Sequence, residues 1–157
     1  MQVQRWFLPV AFWLAVAPPV VSIAREQRRA AHQATRIVDR AASQRLLANK
    51  GLTLQWIDWN TRGHAVVRRE GRVWKLRGAQ AEAGGPGRLW LDGEIREIGR
   101  DYFLFEGKIR IADTPDRGRL CEQNKSWRFA ITQRRTYYRL REFEWCDGLT
   151  DYIDIHF

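Results

Sequence analysis

Residues 51–157 read as a mainly β domain, a small antiparallel barrel or curled sandwich of seven to eight strands, preceded by an apolar N-terminal helix and an amphipathic helix. Three observations predict this. Beyond Gly51 the apolar residues recur at every second position, as one buried strand face requires. Turn residues such as Glu70-Gly71, Gly99-Arg100-Asp101 and Gln133-Arg134 separate these runs at hairpin spacing. Hydrophobic residues at 45% and aromatics at 12%, eight Trp among them, suffice for one dense core and exclude global disorder.

The chain divides into three parts. Trp6 to Ala24 is an uncharged run between Arg5 and Arg25, a signal peptide or membrane anchor over residues 1–24. Pro18-Pro19 interrupts it as in a signal-peptide core, and Ser22 and Ala24 provide small residues for cleavage. Arg25, Arg28, Arg29, Arg36, Arg40 and Arg45 lie after it against Arg5 alone before it, and this distribution favours a cytoplasmic location for the chain beyond Ala24. Residues 25–50 lack Pro and Gly. The stripe Ala30, Ala34, Ile37, Val38, Ala41 predicts an Arg-rich helical stalk that Asn49 and Gly51 end.

In the β domain, His64 to Arg77 reads as a hairpin about Glu70-Gly71, with Val67 opposite Trp74, Ala65 opposite Leu76, and Arg68 and Lys75 on the polar face. Leu89, Leu91, Gly93 and Ile95 alternate inward, as do Phe103, Phe105, Gly107, Ile109 and Ile111 after the Gly99-Arg100-Asp101 turn. Trp90, Glu94, Glu106, Lys108 and Arg110 take the outer face. Mid-strand Gly93 and Gly107 predict bends or bulges. Residues 112–125 are the most loop-like stretch.

A third hairpin centred on Gln133-Arg134 places Trp127 opposite Leu140, Phe129 opposite Tyr138 and Ile131 opposite Thr136. The same register sets Cys121 opposite Cys146 and predicts a disulfide, provided that a bulge near Arg141-Glu142 returns Phe143 and Trp145 to the apolar face. In the last strand, Ile153, Ile155 and Phe157 share one face while Tyr152, Asp154 and His156 share the other.

The functional signals are few. No catalytic or nucleotide-binding motif occurs, and the three His stand in separate contexts, so no catalytic residue and no cofactor is predicted. Asp147, Asp151, Asp154 and His156 form the one acidic constellation; Asp154 and His156 share a strand face and are the weak metal candidates. Trp56, Trp59 and Trp90 fall where alternation does not force burial of all three, which makes them candidate ligand-binding residues at a cleft or barrel mouth. The formal charge of +9 is spread along the body, and Arg outnumbers Lys 23 to 4; Arg beside Tyr and Trp near residues 127–141 permits nucleic-acid or acidic-lipid binding, but the membrane-directed start and the assignment of Trp127, Phe129 and Tyr138 to the core oppose a nucleic-acid partner.

The ending WRFAITQRRTYYRLREFEWCDGLTDYIDIHF, Trp127 to Phe157, resembles the C-terminal stretch of uncharacterised small exported proteins of proteobacteria. It covers about a fifth of the chain and implies a bacterial, envelope-facing β domain, with no activity or site residues attached.

These readings converge on an exported periplasmic or membrane-anchored envelope protein, held to the membrane through residues 6–24, whose domain is a non-catalytic binding or structural module for an unknown envelope ligand or protein. The alternatives are an anion-binding module on the cytoplasmic membrane face and a small envelope enzyme.

Overall fold

The computed structural model describes residues 33–157. The apolar segment of residues 6–24 and the first part of the predicted stalk lie outside them; among the described residues no helix is long and apolar enough to cross a membrane. The compact unit begins at Gln33, so the β domain includes chain upstream of Gly51.

The elements are β1 (Arg36–Ile37), α1 (Arg40–Leu47), β2 (Leu52–Leu54), β3 (His64–Glu70), β4 (Val73–Ala81), β5 (Arg88–Ile98), β6 (Tyr102–Ala112), β7 (Leu120–Ala130), β8 (Tyr137–Leu140) and β9 (Ile153–His156). Eight of the strands form one antiparallel path, β2-β9-β8-β7-β6-β5-β4-β3, and short β1 pairs in parallel with β5. Leu52 and Gly63 exchange backbone hydrogen bonds of 3.2 and 2.8 Å, bringing β2 to the foot of β3 and nearly closing the sheet into a barrel. Closure removes most of the exposed edge that an open sheet would present.

The stalk expectation needs correction. Residues 36–37 are strand rather than helix, and the helix among the described residues is the eight-residue α1. Asp39 decides this: its backbone is extended and its carboxylate accepts from the Ala42 amide at 2.7 Å, the geometry of an N-cap. Asn49 donates to the Leu46 carbonyl at 3.0 Å, and Gly51, at φ +95°, turns the chain into β2. Ala42 and Leu46 are buried in the core, so α1 is part of the domain.

Alternation places the core as expected. Leu76, Leu91, Ile95, Phe103, Phe105, Ile109, Ile111, Trp127, Phe129, Tyr138, Ile153 and Ile155 fill the interior. Phe103 stacks on Phe129 at 4.9 Å between centroids, Tyr138 meets Phe103 edge-on at 5.2 Å, and Trp145 meets Trp127 edge-on at 5.2 Å.

The registers differ from those predicted. In the first hairpin Val67 pairs with Leu76 and Arg69 with Trp74, because the loop is Gly71-Arg72; Gly71 sits at φ +61°, where glycine is favoured. In the third, Phe129 pairs with Leu140 rather than Tyr138. The predicted Gln133-Arg134 turn is present, both residues having positive φ, but Ile131 donates to Asp101 and Phe157 to Thr136, so this end of the hairpin is tied to its neighbours. The stretch predicted as a loop over residues 112–125 shrinks: β7 starts at Leu120.

Gly93 and Gly107 lie directly opposite each other without a bulge; the shift in that ladder falls between Ile95 and Glu97. A Cβ on Gly107 would stand 2.4 Å from the Asp92 carbonyl oxygen and 2.8 Å from the Phe105 ring. The glycine pair lets the sheet curl tightly over Phe105, and Trp127 Nε1 donates to the Gly107 carbonyl at 2.8 Å.

Candidate functional site

Cys121 and Cys146 form a disulfide with 5.7 Å between Cα atoms. The pair is as predicted; the ladder is not, because β8 stops at Leu140 and the bond ties β7 to an irregular segment. That segment needs no bulge: it buries Trp145, sets Phe143 against Tyr152 and leaves Glu142 and Glu144 exposed.

The acidic constellation is divided between two arginines. Arg119 spans Asp147, at 2.8 Å to each oxygen, and Asp151, at 3.0 and 2.9 Å. Asp151 is fully buried and also accepts from the Trp56 indole at 3.0 Å, while Thr114 donates to the Trp56 carbonyl at 2.9 Å. These bonds lock the loops before β7 and β9 together. Arg119 holds the Asp147 carboxyl down at about 2 through its hydrogen bonds, and the pairing raises the guanidinium's own pKa.

Arg139 grips buried Asp154 with two bonds of 2.7 Å and lies over the Tyr152 ring at 4.1 Å. His156 Nε2 is 2.8 Å from Thr53 Oγ1; burial, then the nearby Arg62 charge, lower its pKa. The metal candidates Asp154 and His156 are therefore engaged by Arg139 and Thr53. Among the described residues one further group has metal-like spacing, Cys121, Cys146 and Asp147, but its sulfurs are bonded to each other.

The three candidate tryptophans do not converge. Trp56 packs partly buried against the core beside Asp151. Trp59, 43% exposed, lies near Arg139. Trp90, 40% exposed, lies on the outer face of β5 with Arg110 over its ring.

Strand registers build that outer face in rows. One row runs His64, Ala79, Trp90, Arg110, Glu122; a neighbouring row contains Ala81 and Arg88. Ala79 and Ala81 are small residues on β4 between larger ones on β3 and β5, and they form the floor of a recess of about 430 Å³ walled by Arg62, His64, Arg88 and Trp90. Two smaller recesses of about 260 and 180 Å³ adjoin charged parts of the face; there Arg77 pairs with Asp92, Lys108 and Arg110 with Glu122, and Lys75 with Glu70. Of the predicted residues only Trp90 belongs to the large recess. Sequence reasoning does not single out Arg62, His64 or Arg88; the signal is a pair of alanines two apart on a strand, legible only once the flanking registers are known.

The PM1083 family model matches residues 34–157. The uncharacterised protein PM1083 of Pasteurella multocida (strain Pm70) is 33% identical over 115 residues, 72% of this chain and 74% of its own. No solved structure matches the chain. The family match takes in every element from β1 to β9, and the chain belongs to the PM1083 family.

Proposed function

We propose that the protein is an exported or inner-membrane-anchored component of a bacterial cell envelope whose β domain is a non-catalytic binding module. The Cys121–Cys146 disulfide carries this reading, because such bonds persist in oxidising compartments and are rare in the cytosol. The uncharged run Trp6 to Ala24 supplies a route to the membrane. Arg36 bonds to Glu97 and Arg45 to Tyr138 and the Arg100 carbonyl, so these two arginines have a folding role that accounts for them apart from membrane topology.

The non-catalytic part rests on the state of the buried acids. Asp151 and Asp154 are each neutralised by a chelating arginine, which opposes a role as general base. The binding part rests on the recess beside Trp90, where an exposed indole and cationic side chains face solvent. A polyanion site gains less support, since Arg77, Lys108 and Arg110 are paired with carboxylates on the same face.

Spheroplasts treated with a membrane-impermeant amine reagent test the location. Modification of Lys75 and Lys108 in intact spheroplasts is expected if Met1 and the anchor are kept; if the leader is cleaved, the chain is expected with its N-terminus at Arg25 in the periplasmic fraction released as the spheroplasts form. Modification only after lysis would refute export.

A further inference from the structure

We infer that the Trp90 recess binds a saccharide ring carrying one anionic group, an inference that rests on the binding-module reading and names its ligand. The floor is apolar, being Ala79 and Ala81, and one wall is the exposed Trp90 indole, a flat surface matched to the C–H face of a pyranose. The opposite wall carries His64, whose imidazole in its neutral form both donates and accepts, as ring hydroxyls require.

Charge selects the anion. None of the side chains lining the recess is a carboxylate, while Arg62 and Arg88 both border it. Arg88 is fixed in place by donating Nη1 to the Gly85 and Gly87 carbonyls at 2.8 and 2.7 Å; neutral acceptors hold the guanidinium without cancelling its charge. Arg62 borders the recess with no ion-pair partner among the described residues. A guanidinium held in this way, with a second beside it, suits planar or tetrahedral oxyanions.

The neighbouring charges set the ligand's size. Beyond Trp90, Arg110 lies over the indole at 5.2 Å but is shared with Glu122, and Arg77 is shared with Asp92. Unshared positive charge beside Trp90 is thus confined to one small area, enough for one carboxylate or phosphate and too short for a nucleic-acid tract.

The test is calorimetric titration of the full chain in a detergent without a sugar headgroup. Glucuronate and glucose 6-phosphate distinguish a carboxylate from a phosphate source; glucose, acetate, inorganic phosphate and AMP are the comparison probes. At least one acidic sugar is expected to bind tenfold or more tighter than glucose and than its own free anion. Trp90→Ala and Arg62→Ala should each weaken it at least tenfold, with the circular dichroism of the parent; Trp59→Ala, removing an equally exposed indole, should not. Absence of binding at millimolar sugar acid, equal binding of the free anion, preference for AMP, or indifference to Arg62→Ala would each overturn the inference. The spheroplast labelling result is independent of all of these, so failure of the ligand class and failure of the envelope assignment are separable.

Discussion

Replacing Asp151 by Asn tests whether the Arg119 cluster holds the C-terminal third of the domain. Asp151 is 0% exposed and accepts two bonds from Arg119 and one from Trp56. Asparagine keeps the shape, removes the charge and presents an N–H₂ to groups that are themselves donors. The Arg119 side chain is only 5% exposed and would retain Asp147, which is 40% exposed, as its remaining anion. Removing one partner of a buried ion pair costs about 3–5 kcal/mol, and the retained Asp147 places Asp151→Asn near the lower end, about 3 kcal/mol. With an unfolding entropy of about 2.1 cal/mol/K per residue over about 125 residues, that is a fall in Tm of about 11 °C. Asp147→Asn removes the solvent-exposed half of the same cluster and should cost about 1 kcal/mol or less. Urea and thermal unfolding of the two variants side by side decide the matter. Equal losses, or a loss below about 1 kcal/mol for Asp151→Asn, would refute the claim that the buried carboxylate anchors the loops.

The disulfide, the central glycines and two titrating groups each carry a further expectation. The disulfide spans a sequence separation of 25, for which the chain-entropy model gives about 3.5 kcal/mol; Cys121→Ala with Cys146→Ala should lower stability by about that amount in urea unfolding. Gly107→Ala should cost about 2 kcal/mol or more, because its methyl would meet backbone on the opposing strand, whereas Gly84→Ala, which meets no atom within 4 Å, should cost less despite its φ of +72°. The depressed Asp147 carboxyl contributes stability that is complete above its ordinary value of 3.8 and lost as pH falls towards about 2; acid titration of Asp147→Asn should show a smaller loss in that window. His156 also has a depressed pKa, so its contribution is present above about 6.5 and falls as the pH drops below it; substituting Gln for His156 should flatten the stability profile there.

Which residues face inward is legible in the sequence because strand side chains alternate regardless of register. Alternation alone assigns Trp127, Phe129 and Tyr138 to the core, and they are buried there, although the partner of Phe129 is Leu140. Register depends on turn length, and one residue at Gly71 or at Ile131 shifts every pair beyond it. The predicted ladder that pairs the cysteines ends before Cys146, so the correct bond comes from a mistaken register. Among the described residues the helix covers less than the alanine stripe suggests, because such a stripe imitates helical periodicity; Asp39, a capping residue in plain view, marks the start of α1. The recess is hidden for another reason: His64, Ala79, Arg88 and Trp90 come from three strands, and only the registers between them bring two alanines between the larger side chains. Arg119 and Arg139 look in the sequence like part of a diffuse basic surplus, yet they are the fixed partners of Asp151 and Asp154.

The redox state of the two cysteines in living cells bears most directly on the envelope assignment. Cells quenched in acid, alkylated without reductant and digested should yield a peptide linking Cys121 to Cys146, with neither thiol alkylated. Recovery of both cysteines in alkylated form, with the linkage appearing only after exposure to air, would contradict residence in an oxidising compartment and remove the foundation of the proposed function.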